Sequence, residues 1–277
     1  KQQLNDSIKN EYIYLYIWIM KIALCLYGLT GSSVNKWGLG KPLDPIIAFK
    51  YYLKNLINAN PNDEVDIFIH SQSYKFKKKL VSIYQPKLSI IEKQKDFTYA
   101  IKKHPSTKYS LSPTVFFLDL FKFFYTFKSP LFQKKNRILK LINCYSRWYS
   151  SKISIDLKKK YEKKKNFKYD MVFVGRLDMA ILKPFRISTF SKSQLTISHS
   201  NYFSNNQKKS SHKASKKIIH NVGIYDFWFV GSSRIIDKFS LLFDRIDKYS
   251  PNPHFAVLQH CTHMGIKIAK KMYRFLD

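Results

Sequence analysis

The chain has 277 residues, with 49 Lys or Arg against 18 Asp or Glu, which gives a net charge of +31. Hydrophobic residues make up 45% and aromatic residues 16%, which excludes an intrinsically disordered chain. A charge this basic favours an anionic partner such as nucleic acid, an acidic membrane or a phosphate-bearing substrate. The joint abundance of Lys, Asn, Ile, Tyr and Phe, typical of AT-rich coding sequences, is a competing source of the charge.

The first apolar stretch is open to two interpretations. Read as one span, residues 12–29 resemble a signal-anchor, but Lys21 interrupts them near the middle. The second half is better explained as a buried first strand, Lys21–Tyr27, closed by Gly28. We therefore predict an N-terminal extension over residues 1–20, to which the sequence assigns no role, and a single domain over residues 21–277.

Strands and helices alternate along the rest of the chain. After the first strand, the predicted strands are Val65–Ile69, Leu88–Ile91, Tyr169–Val174, Leu195–Ser198 and Asp226–Val230. Helices are predicted from Asp44, from Ser112, from Leu131 to about Lys165, from Ser232 to about Tyr249 and from Asn252 to Gly265. Residues 204–217 are predicted to form a mobile loop. This alternation predicts an α/β fold with a Rossmann-like, mostly parallel sheet flanked by helices.

The three cysteines are far apart in the chain, and the sequence has no CxxC or CxxH spacing. Such a pattern is typical of reduced thiols, so we predict a cytoplasmic protein. The basic run Lys158–Lys165 adds an expected peripheral contact with an anionic membrane surface.

Ligands of open α/β sheets bind beyond the carboxyl ends of the strands, so the residues just after each strand are the functional candidates. After the fourth strand come Gly175, Arg176 and Asp178. A carboxylate at this place can hold a divalent cation that neutralises a diphosphate leaving group. Arg176 can pair with this carboxylate or contact a phosphate directly. A surface Arg–Asp turn without function is an equally good interpretation of these residues taken alone.

Five segments in order resemble glycosyltransferases of the GT-A fold that act in bacterial and viral glycan synthesis. The segments are KIALCLYG, VDIFIHS, YSRWYS followed by Lys152, KYEKKKNFKYDMVFVGRLD and DFWFVGSSRIIDKFSLLFD. Together they cover roughly residues 21–265. The resemblance implies transfer of a hexosyl or deoxyhexosyl group from a nucleotide-diphosphate donor to a glycan or lipid-linked acceptor.

The same resemblance implies a set of donor-binding residues. This set is Gly28, Thr30, Gly31, His70, Arg147, Lys152 and Arg176. Gly28 would let the backbone approach the nucleotide closely, and His70 would shape the nucleotide pocket rather than act as an acid or base. For Arg147 and Lys152, a solvated helix face is the alternative.

Asp178 is the implied catalytic centre. With His260 it is also the implied ligand of a Mn or Mg ion. The usual Asp-x-Asp motif of the family is reduced here to Arg-Leu-Asp, which puts metal dependence in doubt. Arg176, Arg147 and Lys152 would then share the neutralisation of the diphosphate. A purely structural role is the alternative to metal binding for His260.

Asp226 is the candidate base for an inverting enzyme, because a carboxylate near the acceptor must take the hydroxyl proton. A turn or capping aspartate is the alternative interpretation of this residue.

A non-catalytic, basic nucleic-acid or polyanion-binding protein is the second hypothesis. The sequence has 4 Trp, 19 Tyr and 22 Phe residues, which would suit stacking on single strands. Many of these rings lie in apolar runs such as Val115–Phe127, where we expect them to be buried. We therefore expect no specific nucleic-acid partner.

Overall fold

The computed structural model describes residues 19–31, 41–105, 107, 120, 130–199 and 227–272. Its centre is a seven-stranded sheet with the order β3-β2-β1-β4-β6-β5-β7. The strands are β1 Lys21–Gly28, β2 Glu64–Ser71, β3 Leu88–Ile91, β4 Met171–Arg176, β5 Leu195–His199, β6 Trp228–Gly231 and β7 Ile268–Met272. The α-helices are α1 Ile46–Tyr52, α2 Lys77–Tyr84, α3 Thr98–Lys103, α4 Pro130–Lys165, α5 Ser233–Ser240 and α6 Pro253–His263.

Helix α1 continues into a wider π-type turn, and the described residues also contain three short 3₁₀ segments. The π-type turn is Leu53–Ile57, and the 3₁₀ segments are Tyr74–Phe76, Ile187–Thr189 and Phe243–Lys248. The helices of the described ranges include none with the length and apolar character needed to cross a bilayer.

Strand β1 is an interior strand of the sheet and is buried on both faces. It pairs in parallel with β2 on one side and with β4 on the other. Ala23 and Cys25 pack into the hydrophobic layer under α4, while Ile22 and Leu24 pack into the layer under α1 and α2. A run that is apolar at every position suits a parallel strand covered by helices on both sides.

The far half of the sheet departs from the parallel pattern. Strand β6 is antiparallel to both of its neighbours, β4 and β5, whereas β5 pairs in parallel with β7. The sheet nevertheless remains mostly parallel, since β3, β2, β1 and β4 all run in one direction.

Helix α4 is continuous over 36 residues and is fixed to the sheet by a buried charge network. Lys158 and Glu162 have fully buried side chains, and their Nζ and Oε2 atoms lie 3.1 Å apart. The Lys158 ammonium also lies 2.8 Å from Oδ1 of Asp237 in α5. Glu162 accepts hydrogen bonds from the Ser233 hydroxyl at 2.6 Å and from the Tyr169 amide at 3.0 Å. We call these five residues the amino-edge network, because they surround the start of β4.

The electrostatics of Glu162 show how this network is balanced. Burial by itself raises the pKa of Glu162, but the hydrogen bonds from Ser233 and Tyr169 and the charge of Lys158 outweigh it. The pKa of Glu162 is therefore lowered overall, and the residue stays ionised inside the protein.

The predicted α/β fold, with a mostly parallel sheet and flanking helices, is confirmed by the structure. Strand β7 was not anticipated, and the helix expected to continue to about residue 249 ends at Ser240 and is followed by a 3₁₀ segment. The helix predicted from Ser112, most of the proposed extension over residues 1–20 and the loop 204–217 lie outside the described residues. The single-domain assignment stays a prediction.

Replacing Lys158 with Met should destabilise the fold by about 3 kcal/mol, because Glu162 and Asp237 would lose a buried cation. Lys163 lies on the same helix but is exposed, so Lys163→Met is the matched control and should change stability by less than about 0.5 kcal/mol. Urea unfolding at neutral pH measures both variants. Equal midpoints for the two would contradict a stabilising role for the network.

Candidate functional site

The parallel register brings the ends of β1, β2 and β4 to the same edge of the sheet. Gly28 at the end of β1 is level with Ser71 in β2, and Tyr27 is level with Arg176 in β4. The residues that the sequence placed after these three strands therefore lie beside one another. We call this region the carboxyl edge.

The loop after β1 turns sharply at two glycines with positive φ, Gly28 at 97° and Gly31 at 96°. A Cβ atom on Gly31 would lie 3.0 Å from Leu43 Cδ1 and 3.3 Å from Asp178 Cβ. Only glycine combines this backbone conformation with so close an approach. The loop therefore passes directly over Asp178.

Side-chain hydroxyls fix the loop to β2 and to helix α4. The Gly28 amide donates to Ser150 Oγ at 2.9 Å, and the Gly28 carbonyl accepts from Ser71 Oγ at 2.8 Å. The Thr30 amide donates to Ser73 Oγ at 3.1 Å. The predicted loop residues Gly28 and Thr30 are thus held in one defined conformation.

Arg176 and Asp178 form a two-pronged ion pair. Arg176 Nε lies 2.7 Å from Asp178 Oδ1, and Nη2 lies 2.5 Å from Oδ2. The Tyr52 hydroxyl donates to the Arg176 carbonyl at 2.6 Å, and the Leu177 amide donates to the Tyr27 carbonyl at 2.9 Å. The backbone of the Arg-Leu-Asp turn is therefore anchored on both sides, which orients the guanidinium.

A second guanidinium, that of Arg147 in α4, acts on the same place. Desolvation lowers the pKa of Arg147 to about 10, and the positive charge of Arg176 is the next largest cause. Desolvation by itself would also lower the pKa of Arg176. The hydrogen bond to Asp178 and the negative charge of Asp178 outweigh this effect, so the pKa of Arg176 is raised. Both arginines stay cationic at neutral pH, so they exceed the single carboxylate of Asp178 by one positive charge.

Lys152 lies on the same helix but is engaged elsewhere. Its ammonium is 3.1 Å from Asp156 Oδ2 and 3.2 Å from Asp244 Oδ2. The structure thus groups Arg147 with the Arg-Leu-Asp turn and pairs Lys152 with two surface carboxylates.

His70 is fully buried behind the loop after β1. Its Nδ1 lies 2.6 Å from Ser150 Oγ, and its Nε2 lies 3.2 Å from Glu92 Oε1. Burial lowers the pKa of His70, and the hydrogen bond that its ring donates to Glu92 opposes this shift. A neutral ring that accepts from Ser150 and donates to Glu92 satisfies both contacts. His70 therefore supports the residue that holds Gly28, in keeping with a pocket-shaping role.

His260 lies on α6 and is fully buried. Its Nδ1 lies 3.2 Å from the Tyr249 hydroxyl, and its Nε2 lies 3.1 Å from the Lys238 carbonyl oxygen. Both ring nitrogens are thus engaged within the protein, which suits the structural alternative for this residue.

The residues present fit a divalent cation poorly. Both oxygens of Asp178 face the guanidinium of Arg176, so a cation would have to displace that ion pair. In the part of the chain that the structure describes, no group of three or more His, Cys, Asp or Glu side chains is placed to hold a metal ion. Asp226, the candidate base, lies outside the described residues.

Two cavities lie at opposite ends of the strands. One of about 300 Å³ opens at the carboxyl edge beside Leu29, Gly31 and Gln72. The other, of about 730 Å³, lies at the amino edge beside Ser232 and Asp237. The smaller cavity is the one that adjoins the Arg-Leu-Asp turn, since Gly31 borders both.

Three polar residues of this edge had no assigned role in the sequence analysis. Ser150 lies within the YSRWYS segment, but only its contacts with Gly28 and His70 reveal its importance. Gln72 directly follows β2, and Glu92 directly follows β3. Their place after a strand was the available signal, because such positions meet at one edge of the sheet.

Comparison with known proteins leaves the family open. No family model matches the chain, and no curated protein matches it. Among solved structures, the chain is similar to a protein of Desulfovibrio desulfuricans G20 provisionally named a nucleotide-diphospho-sugar transferase, with a TM-score of 0.38 and 9% identity. The match covers 91% of this chain and 79% of that chain. So distant a similarity carries no argument about function, which must rest on the site itself.

Replacing Ser150 with Ala should cost about 2 kcal/mol or more, because the buried Gly28 amide and the His70 ring would both lose a partner. Ser154 is an equally buried serine of the same helix whose hydroxyl donates to the Ser151 carbonyl. Ser154→Ala is the matched control and should be close to neutral, since alanine is the better helix former. Thermal unfolding of both variants measures the difference, and equal effects would contradict this role of Ser150.

Stability should fall as the pH is lowered from about 6.5 towards 4. Burial lowers the pKa of His260 from 6.5 to about 4, so between these values the unfolded chain binds a proton that the folded chain does not. The contribution of His260 is therefore complete above pH 6.5 and is lost on acidification. Urea midpoints measured across this range should drop less in His260→Gln than in the wild type. His263→Gln, at an exposed position of α6, should keep the wild-type drop.

Proposed function

We propose that the chain is a glycosyltransferase that binds a nucleotide-diphosphate sugar at the carboxyl edge and transfers the sugar to a glycan or lipid-linked acceptor. The observation that supports it most is the ion pair of Arg176 with Asp178 under a glycine loop, with the cationic guanidinium of Arg147 close enough to interact electrostatically with both. A diphosphate is the ligand that such a place suits best, because planar guanidiniums bind phosphate oxygens through paired hydrogen bonds.

The glycine loop suits the close approach of a phosphorylated ligand. Gly28 has open space where a Cβ atom would be, and Gly31 lies against Asp178. A ligand in the neighbouring cavity of about 300 Å³ would contact the loop at Gly31, which itself lies against Asp178 of the Arg-Leu-Asp turn. Such clefts at the carboxyl ends of parallel strands are common ligand sites.

The proposed chemistry follows from the charge that develops on the donor. Breaking the bond between the anomeric carbon and the phosphate oxygen leaves negative charge on the departing diphosphate. Arg176 and Arg147 would stabilise this charge more in the transition state than in the ground state, which is how such groups accelerate a reaction. Asp178 would orient Arg176 through its two hydrogen bonds. No step in this scheme depends on a bound cation.

The proton of the acceptor hydroxyl needs a base, and Asp226 remains our candidate for an inverting reaction. The basic surface leads us to propose a peripheral contact with an anionic membrane, where a lipid-linked acceptor would reside. A cytoplasmic location also stays a prediction. The three cysteines are free and buried, as expected of reduced thiols.

Changing Asp178 to Asn should lower turnover at least about a hundredfold, equal to about 2.7 kcal/mol in the barrier, because Arg176 would lose its orientation. Changing Arg176 to Ala should reduce both turnover and donor affinity. Asp170→Asn is the matched control, since Asp170 lies at the opposite end of β4 and pairs with Lys192. Transfer assays with a panel of nucleotide-sugars measure turnover, and isothermal titration measures donor affinity.

Two results would contradict the proposal. One is full transferase activity in the Asp178→Asn protein. The other is salt-sensitive binding of random oligonucleotides together with no binding of any nucleotide diphosphate, which would favour the polyanion-binding alternative.

A further inference from the structure

The cavity at the carboxyl edge has polar, cationic and aromatic walls. Besides the loop after β1, it is bordered by Gln72, Ser73 and Tyr74 after β2 and by Lys93 after β3. Tyr74 is about half exposed, and the Lys77 ammonium lies 5.8 Å from the centroid of its ring, so the ring adds an aromatic surface to the cavity wall. The cavity is therefore suited to a planar, polar group next to the phosphate-binding residues.

Gln72 is the unusual member of this wall because it is buried and incompletely bonded. The residue is only 6% exposed. Its Oε1 accepts a hydrogen bond of 2.9 Å from the Ser146 hydroxyl of α4. Its Nε2 is buried and has no hydrogen-bond partner among the described residues. A buried donor without a partner is costly and rare in folded proteins, so its presence needs an explanation.

We propose that Gln72 selects the base of the nucleotide donor by donating from Nε2 to a ring carbonyl oxygen. This inference rests on the proposed function and deepens it. The Ser146 hydroxyl engages Oε1, so Nε2 is the amide atom that is left without a partner and can donate to a ligand acceptor. The free amide group of Gln72 is thus satisfied only when a ligand with an acceptor occupies the cavity.

The selected class is the oxo bases, those with a ring carbonyl oxygen, which include uracil, thymine and guanine. Each of them presents a carbonyl oxygen to such a donor. Adenine is normally read by a glutamine through both of its amide atoms, with the oxygen accepting from the adenine amino group. In this chain Oε1 is already held by Ser146. Adenine should therefore bind less well than an oxo base, because its amino group would meet a donor.

The test is isothermal titration of uridine, thymidine, guanosine and adenosine diphosphates into the wild type and three variants. Gln72→Met keeps the size and removes the donor. Gln94→Met is the matched control, because Gln94 borders the same cavity but is exposed. Arg176→Ala reports on the diphosphate alone.

The wild type should bind at least one oxo-base nucleotide at least about tenfold more tightly than the adenosine nucleotide, a difference of the size that one hydrogen bond supplies. Gln72→Met should remove most of this preference by lowering the affinity for the oxo-base nucleotide. Gln94→Met should keep it. Arg176→Ala should weaken all four nucleotides by a similar factor, since the diphosphate is common to them.

A wild type that prefers adenosine diphosphate, or a Gln72→Met protein that keeps the wild-type preference, would overturn the role of Gln72 and leave the proposed function standing. No binding of any nucleotide by the wild type would overturn both. If Gln72→Met does not fold, Ser146→Ala supplies the same readout. Without the Ser146 hydroxyl, the Gln72 amide would lose the contact that engages Oε1, so the difference in affinity between the oxo-base and adenosine nucleotides should become smaller. An unchanged difference would overturn the inference.

Discussion

The parallel pairing of β1 with β2 and with β4 is the constraint on which the rest of the structure depends. Because the three strands run in one direction, their carboxyl ends form a single edge, and the loops that follow them meet there. The glycine loop, the buried His70 and the Arg-Leu-Asp turn come from distant parts of the chain. The register alone makes them neighbours.

Local charge at this edge carries more information than the net charge of the chain. The total of +31 is spread over many exposed lysines, which water and salt screen. Arg147 and Arg176 lie in a partly desolvated region, where the positive charge of Arg176 helps to lower the pKa of Arg147. An excess of one positive charge there attracts a phosphate more strongly than several surface lysines would.

The buried polar groups include a network whose hydrogen bonds are all formed and a side chain whose hydrogen bonds are not. In the amino-edge network, Lys158 and Glu162 are paired and hydrogen-bonded, so their burial contributes to the fold. At the carboxyl edge, Ser150 completes the contacts of Gly28 and His70, whereas the amide nitrogen of Gln72 remains unpaired. Satisfied groups stabilise the scaffold, and the unpaired amide of Gln72 beside a cavity is the observation from which we infer a ligand contact.

The sequence by itself determined the central strands and the character of their ends. An unbroken apolar run followed by glycine specifies a strand buried on both faces, and Arg176 and Asp178 stood out because they directly follow such a run. These are local signals. Tertiary structure decided what depends on distant partners: the antiparallel insertion of β6, the addition of β7, the pairing of Lys152 with Asp244, the burial of His260 and the junction of Ser150 with Gly28. Periodicity and spacing in the sequence indicate which face of a helix or strand a residue occupies. The residue that it contacts across the interior depends on packing between elements that are far apart in the chain.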